Sequence, residues 1–165
     1  MKRLLSKFFL FSVLLILLNC SSQNTISESK SNIPKYSIAI IQVEYHSADE
    51  KKYSSITRDF IEEEFSTYSE YIVIDRVSID KILNELSLNN TGLTDNNINR
   101  IGKMLQADRI LLTKLQKIDN VWVLTGRLIA VETGTVIKTS SGRVSEVSKL
   151  DGAAKGLSRR ITGRL

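Results

Sequence analysis

The fold of this chain is decided by the stretch RILLTKLQKIDNVWVLTGRLIAVETGTVIKTSSGRV, residues 109–144. It contains three runs rich in β-branched and apolar residues. Asp119-Asn120 separates the first two runs and Glu132-Thr133-Gly134 separates the last two. Both separators are turn sequences of hairpin length. The stretch therefore predicts three antiparallel strands arranged as a meander.

The residues before this meander predict two strands joined by a helix. YSIAIIQVE (36–44) is typical of a strand buried on both faces, and YIVID (71–75) predicts a second, shorter strand. Ser47 precedes Glu50 by three residues, which is the spacing of a capping box at a helix start. The predicted apolar face of that helix consists of Tyr53, Ile56, Phe60 and Ile61. A crossover of this length is expected to leave the two strands parallel.

Three further helices are predicted from apolar residues at helical spacing. Ser78 is the predicted cap of one helix, and Thr94 is the predicted cap of the next. The last helix follows the meander, with an apolar stripe of Leu150, Ala154, Leu157 and Ile161. The resulting order, βα-β-αα-βββ-α, predicts an α+β fold with helices packed on one mixed β-sheet. A single core is predicted to contain Ile40, Phe60, Ile82 and Leu112.

The amino terminus has the features of a cleaved lipoprotein signal. Lys2, Arg3 and Lys7 precede or flank an apolar run, Phe8 to Leu18, that ends at Asn19-Cys20. A membrane-spanning helix needs roughly 20 apolar residues, whereas a secretory leader needs roughly 7–15. The end of the run resembles a bacterial lipobox, although Asn19 replaces the usual Gly, Ala or Ser. This predicts removal of residues 1–19 and lipidation of Cys20, the only cysteine; the alternative is an ordinary signal peptide followed by a free cysteine.

The remaining chain divides into a tether and one domain. Residues 20–35 are polar and Ser-rich, which predicts a flexible tether, and residues 36–165 are long enough for a single domain. The three leader cations account for much of the formal net charge of +5, so their removal leaves +2. Ser21 follows the lipidated cysteine in place of the aspartate that retains lipoproteins in the inner membrane of enteric bacteria. We therefore expect anchoring in the outer membrane, facing the periplasm.

The sequence contains no recognisable catalytic, metal or cofactor motif. Glu44, the only histidine His46, and Asp49 could hold a metal where the first strand ends, but a solvated loop is the favoured interpretation. Three successive glutamates, Glu62 to Glu64, are assigned to the solvated side of the first helix. The basic end RRITGRL (159–165) has no aromatic residue, which argues against nucleic-acid binding. We therefore expect neither an enzyme nor a cofactor.

The order of short motifs resembles the CsgG-like family of envelope lipoproteins. This family includes the curli-secretion channel lipoprotein and LpoB-like proteins that activate penicillin-binding proteins, and a domain of the translocation protein TolB has a similar fold. The resemblance covers about Ser37 to Val144. Its marks are IAIIQVE (38–44), VIDR (73–76), TGLTD (91–95), LQADRILLTKL (105–115) and LIAVETG (128–134).

The resemblance implies a lipid-anchored periplasmic domain that binds another protein in envelope assembly. The partner implied by the LpoB-like members is a penicillin-binding protein of peptidoglycan synthesis. The alternatives are a curli-type secretion or assembly component and a structural lipoprotein with another partner. A secretion pore needs additional strands of about 9–11 residues from each subunit, and the tight turns of the meander leave no room for them.

Overall fold

A computed structural model describes residues 36–42, 45–88, 93 and 95–164. The predicted signal peptide, Cys20 and the predicted tether lie outside these ranges. Glu44, the predicted cap Thr94 and most of the TGLTD loop also lie outside them. Within the described ranges, no helix has the length and apolar character needed to cross a membrane.

The described part of the chain has five strands and four α-helices in the predicted order. The strands are β1 (Tyr36–Gln42), β2 (Tyr71–Val73), β3 (Arg109–Ile118), β4 (Val121–Ala130) and β5 (Val136–Val144). The α-helices are α1 (Ala48–Ser66), α2 (Arg76–Glu85), α3 (Asp95–Met104) and α4 (Leu150–Thr162), with a 3-10 turn (Val147–Lys149) before α4. The predicted α+β class and element order are confirmed.

The strands form one mixed sheet in the order β2-β1-β3-β4-β5. β1 is parallel to β2 and β3, while β3, β4 and β5 form the predicted antiparallel meander. The first hairpin turn is closed by Asp119 at φ 54° and the second by Gly134 at φ 70°. Neither edge of the described sheet is a long, regular strand. One edge strand, β2, has only three residues. At the other edge, a register shift interrupts the pairing of β5 with β4 at Leu128/Ile129.

The sheet separates two hydrophobic cores, because successive residues of a strand point to opposite faces. Helices α1 and α4 cover the first core, which includes Ile40, and helices α2 and α3 cover the second, which includes Leu112. The prediction of a single core is therefore wrong. Phe60 is only partly buried beside the first core, and Ile82 is only partly buried beside the second.

Helix α1 buries a face that is more polar than predicted. Ile61 and Phe65 are fully buried, but Ile56 is exposed. The other buried positions of α1 are Glu50, Ser54, Thr57, Arg58 and Glu64. Bonds within the helix satisfy some of these buried polar groups. The Thr57 hydroxyl donates a hydrogen bond to the Tyr53 carbonyl oxygen at 2.7 Å, and Arg58 forms an ion pair with Glu62. The spacing of apolar residues alone therefore predicted the wrong buried side for α1.

One of the two predicted helix caps within the described residues is correct. The Ser47 hydroxyl accepts a hydrogen bond from the backbone N–H of Glu50 at 3.1 Å, as the capping box predicts. The prediction for Ser78 is wrong, because Asp75 is the cap of α2. The Asp75 carboxylate accepts bonds from the Ser78 N–H at 3.0 Å and the Ser78 hydroxyl at 2.5 Å. Strand β2 consequently ends two residues before the predicted boundary.

Helix α4 packs closely on β4 because Gly126 lacks a side chain. The predicted stripe of Leu150, Ala154, Leu157 and Ile161 is buried in the first core. A Cβ atom at Gly126 would lie 2.9 Å from side-chain carbons of both Leu157 and Ile161. The glycine therefore sets the distance between helix and sheet on this side, and the opposite side of β4 faces away from α4.

Candidate protein-interaction face

The structure does not assemble the predicted metal candidates into a site. Glu44 lies outside the described residues, while His46 and Asp49 are exposed around the start of α1. Within the described ranges, no group of three His, Cys, Asp or Glu side chains is placed to hold a metal ion. The backbone N–H of His46 donates to a Glu50 carboxylate oxygen at 2.7 Å. The residue near these candidates with a defined tertiary role is Glu50, in the first turn of α1.

Glu50 joins the start of α1 to the end of β3. Its side chain is buried, and its second carboxylate oxygen accepts a hydrogen bond from the backbone N–H of Lys117 at 3.0 Å. The bonds from Lys117 and His46 hold the pKa of the Glu50 carboxyl below its ordinary value, against the opposing effect of burial. The capping-box spacing identified Glu50, but its contact with Lys117 had no local sequence signal.

Glu64 is buried, so its assignment to the solvated side of α1 is wrong. Its Oε1 accepts hydrogen bonds from the Tyr68 hydroxyl at 2.9 Å and from Arg159 Nε of α4 at 3.0 Å. Burial alone would raise the pKa of the Glu64 carboxyl, but these two donors outweigh it and the pKa is lowered. Burial, followed by the bond to Glu64, raises the pKa of Tyr68 to about 12. The network links α1 to α4 and is structural.

A cleft of about 410 Å³ lies at the end of the sheet where β1 and β3 begin. Two of its ionic side chains, Asp108 and Arg109, have structural partners. Arg109 stacks on the Tyr36 ring at 3.7 Å, and an Asp108 carboxylate oxygen accepts from the Ser37 N–H at 2.7 Å and the Ser37 hydroxyl at 2.8 Å. Bonds from the Ser37 backbone and hydroxyl lower the pKa of Asp108. We therefore assign these residues to joining β1 with β3 rather than to a ligand site.

One half of the sheet has a face that no described helix covers. On the side of the second core, buried packing reaches Leu112 of β3 and Ile129 of β4. Beyond them, alternate residues of three strands are exposed or half-buried. We call this surface the open face and define it by Lys114, Gln116, Ile118, Val121, Val123, Thr125, Arg127, Thr139, Ser141 and Arg143.

The strand register places these residues in rows across the sheet. From the hairpin end the rows are Ile118–Val121, Gln116–Val123–Arg143, Lys114–Thr125–Ser141 and Arg127–Thr139. Rows lie about 7 Å apart along the strands, and neighbouring strands lie about 4.8 Å apart. The backbone of the open face therefore spans roughly 20 by 10 Å.

The composition of the open face suits contact with another macromolecule. Apolar side chains lie at the hairpin end, where Ile118 and Val121 are 49% and 37% exposed. Amide and hydroxyl groups follow, together with three cations, Lys114, Arg127 and Arg143. A flat surface of this kind does not enclose a small molecule, since such ligands occupy concave sites. The arrangement can bury apolar area while offering hydrogen bonds.

Sequence reasoning did not identify the open face, although a signal for it was present. Strand β5 carries Lys138, Thr139, Ser140 and Ser141 in succession, so polar residues occur on both of its sides. A strand packed between helices on both faces is usually apolar on both. The polar run in β5 therefore indicated that at least one face of this strand is solvated.

The fold resembles that of several proteins of known structure. The C-terminal domain of LpoB from Salmonella enterica aligns at 15% identity and TM-score 0.51, covering 69% of this chain and 85% of that chain. Lipoprotein GNA1162 from Neisseria meningitidis aligns at 12% identity and TM-score 0.54, covering 67% and 80%. TolB from Acinetobacter baumannii aligns at 12% identity and TM-score 0.52, covering 80% of this chain and 28% of that chain.

The similarity lies in the fold and not in the sequence. No family model matches the chain, and no curated protein matches it. At these identities the alignments show the architecture alone, and one architecture can serve different functions. The LpoB part of the expected resemblance is confirmed at the level of fold, whereas the curli-channel part is not supported. The described domain has an LpoB-like fold.

Proposed function

We propose that this chain is a lipid-anchored protein of the outer membrane whose periplasmic domain binds another envelope protein, specifically a penicillin-binding protein that it activates in peptidoglycan synthesis. The observation that carries the proposal is the open face, a part of the sheet that no helix within the described residues covers. The LpoB-like fold supports it, because the resemblance noted in the sequence implies activation of penicillin-binding proteins. The same resemblance supports an envelope location.

The dimensions of the open face are compatible with part of a stable interface. Specific complexes bury about 800 Å² on each partner, whereas the backbone of the open face spans only about 200 Å². The interface must therefore extend beyond it, most directly over the hairpin tip at Asp119-Asn120 and along β5. Apolar Ile118, Val121 and Val123 would form its water-excluding part, and the polar rows its rim.

The proposed anchor is the lipidated Cys20. Removal of residues 1–19 would leave a tether of residues 20–35 and a domain of residues 36–165. A flexible chain of about 15 residues has a root-mean-square length of about 20 Å. The domain would then sample a layer close to the membrane and could turn its open face towards a partner. Attachment through two or three acyl chains gives stable anchoring, which one chain does not.

The proposed role is binding rather than catalysis. General acid–base chemistry near neutral pH needs a group tuned to that range and open to a substrate. The buried carboxylates Glu50 and Glu64 accept hydrogen bonds from structural donors. Both have lowered pKa values and are therefore ionised at neutral pH. These features support a domain that acts by contact with a partner.

Site-specific photo-crosslinking in living cells tests the proposal. A photoreactive amino acid replaces Thr139 on the open face of the full-length chain, and in a matched control it replaces Ser55, which is exposed on α1. Irradiation is followed by purification of the chain and identification of the attached protein. We expect a penicillin-binding protein attached through position 139 and not through position 55.

Two results would contradict this function. Equal attachment of the same protein from both positions would show that the open face is not the docking surface. Attachment of curlin-like subunits instead of a penicillin-binding protein would favour the secretion alternative. A Cys20→Ser chain that still fractionates with the outer membrane would separately refute the proposed anchor.

A further inference from the structure

We infer that the outer edge of β5 is a strand-pairing surface for a second copy of this chain, and that Arg160 keeps this edge closed. The inference does not depend on the proposed function. It follows from the direction of the backbone groups of β5, from the position of the Arg160 guanidinium, and from the symmetry of the regular part of the strand.

The backbone of β5 directs alternate residues away from the sheet. The Ala130 N–H donates to the Thr135 carbonyl oxygen at 3.0 Å, so the even-numbered residues of β4 face β5. Their register partners are the even-numbered residues of 138–144. The N–H and C=O groups of the odd-numbered residues therefore point outwards, and because β5 is the last strand of the described sheet they form its outer edge. These outward-facing residues are Thr139, Ser141 and Arg143.

Arg160 of α4 reaches this outer edge and occupies one of its acceptors. Its Nη2 donates to the Ser141 carbonyl oxygen at 3.2 Å, and its Nε donates to the Ser140 hydroxyl at 2.9 Å. The guanidinium lies beside two glycines, since an added Cβ atom would be 3.1 Å from Nη1 at Gly156 and 3.5 Å from Nη2 at Gly142. A strand that paired with this edge would have to displace the guanidinium from the Ser141 carbonyl.

The closed position is the midpoint of the regular part of the edge. A register shift separates the first residues of β5 from the seven that follow, Lys138 to Val144. Ser141 is the central residue of these seven. The other edge strand of the described sheet, β2, has only three residues. Residues 138–144 are thus the longer regular edge, about 20 Å in length, and Arg160 closes it at its centre.

The same midpoint makes a second copy the partner that fits this edge. Two copies related by a twofold axis would bring their β5 strands together antiparallel, with Ser141 of one copy opposite Ser141 of the other. Lys138 then lies opposite Val144. Arg143 lies opposite Thr139, so no two cations of the strands are directly opposite and the repulsion of like charges is avoided. This register uses the Ser141 carbonyl of each copy, which is the group that the guanidinium occupies.

Two replacements of Arg160 and a matched control test the inference. Arg160→Met keeps a long apolar stem but removes the donors, and Arg160→Ala removes the side chain beyond Cβ. The control, Lys138→Met, removes a cation from the same strand at a residue whose backbone groups face β4. The full chain is purified in detergent micelles, its folding is checked by circular dichroism, and its oligomeric state is measured by sedimentation velocity.

We expect wild type and Lys138→Met to sediment as monomers. Both Arg160 variants should self-associate at least about thirtyfold more strongly than wild type, because one carbonyl acceptor is freed in each copy. Amide hydrogen exchange should show protection of the three outward-facing N–H groups in the variants and not in wild type. Folded Arg160 variants that stay monomeric, or a Lys138→Met chain that associates as strongly as they do, would overturn the inference. Protection of these amides in wild type would overturn it without any variant.

A substitution of Ser141 separates edge pairing from non-specific aggregation. Ser141→Pro removes an outward-facing N–H that takes no part in the ladder with β4, a change that edge strands tolerate. Its control, Ser141→Ala, removes only the hydroxyl. In the Arg160→Met background we expect Ser141→Pro to abolish the dimer and Ser141→Ala to preserve it. A dimer that survives Ser141→Pro would exclude pairing through this edge, and a monomeric Arg160→Met chain that instead protects these amides with a different protein would refute the second copy as partner.

Discussion

Replacing Glu50 by alanine should lower the free energy of unfolding of the domain by about 3 kcal/mol. Glu50 is 6% exposed, and its carboxylate accepts two backbone hydrogen bonds, at 2.7 Å from His46 and 3.0 Å from Lys117. A hydrogen bond to a charged group contributes about 1.5–3 kcal/mol. Because both donor residues are themselves exposed, water can replace part of each bond, and we take the lower end of the range for both.

The matched control is Asp49→Ala. Asp49 also lies in the first turn of α1 and therefore shares the favourable interaction with the helix dipole, which is worth about 0.3–1 kcal/mol. It is exposed, in contrast to Glu50. The free energy of unfolding of both variants is measured by urea unfolding of residues 35–165, monitored by Trp122 fluorescence and by far-UV circular dichroism. If Glu50→Ala and Asp49→Ala lower the free energy of unfolding by amounts that agree within about 0.5 kcal/mol, the tertiary role of Glu50 is refuted.

The same contact gives a pH dependence of defined sign. The folded state holds the pKa of Glu50 below its ordinary value of 4.5. Its stabilising contribution is therefore complete above that value and is lost as the pH falls through the lowered pKa. We expect wild type to lose more stability than Glu50→Gln between pH 7 and pH 3. Parallel losses would show that the carboxylate is not stabilised in its ionised form.

Three further predictions concern packing and anchoring. Phe65→Ala should cost about 3–5 kcal/mol in urea unfolding, because its ring is fully buried; Phe60→Ala should cost clearly less, and equal costs would contradict the observed burial of α1. Gly126→Ala should destabilise by about 1–3 kcal/mol through overpacking against α4. Gly152→Ala should stabilise by up to about 0.5 kcal/mol, because no atom beyond its chain neighbours and its own helix backbone lies within 4 Å of the added Cβ; similar shifts in melting temperature for the two variants would exclude this account. Metabolic labelling with palmitate should mark the wild-type chain and not Cys20→Ser, and label retained by the variant would place the lipid elsewhere.

Elements with strong local signals were predictable from the sequence. The meander followed from two hairpin turns at Asp119 and Gly134, and both turns adopt the left-handed backbone that such sequences favour. The stripe of α4, from Leu150 to Ile161, is apolar at helical spacing and is buried as predicted. In these cases the residues that determine the structure are near one another in the chain.

The features that escaped prediction depend on contacts between distant residues. Glu50 and Lys117 are separated by 67 positions, and Glu64 and Arg159 by 95. Local spacing cannot show that a carboxylate will be buried against such a donor. The separation of the core into two depends likewise on which helices cover each face of the sheet. The only sequence signal that we find for the open face is the polar run in β5.

The edges of the sheet bear on how this domain behaves among its own copies. An edge strand exposes unpaired backbone groups that can extend a sheet from one molecule to the next. Here one edge, β2, offers only three residues, and the other, β5, carries Lys138 and Arg143 and an interrupted register with β4. In the proposed anchored state, copies would diffuse in two dimensions and collide far more often than free molecules. Short, charged and irregular edges would allow a dense population to remain separate, so that each domain keeps its open face available.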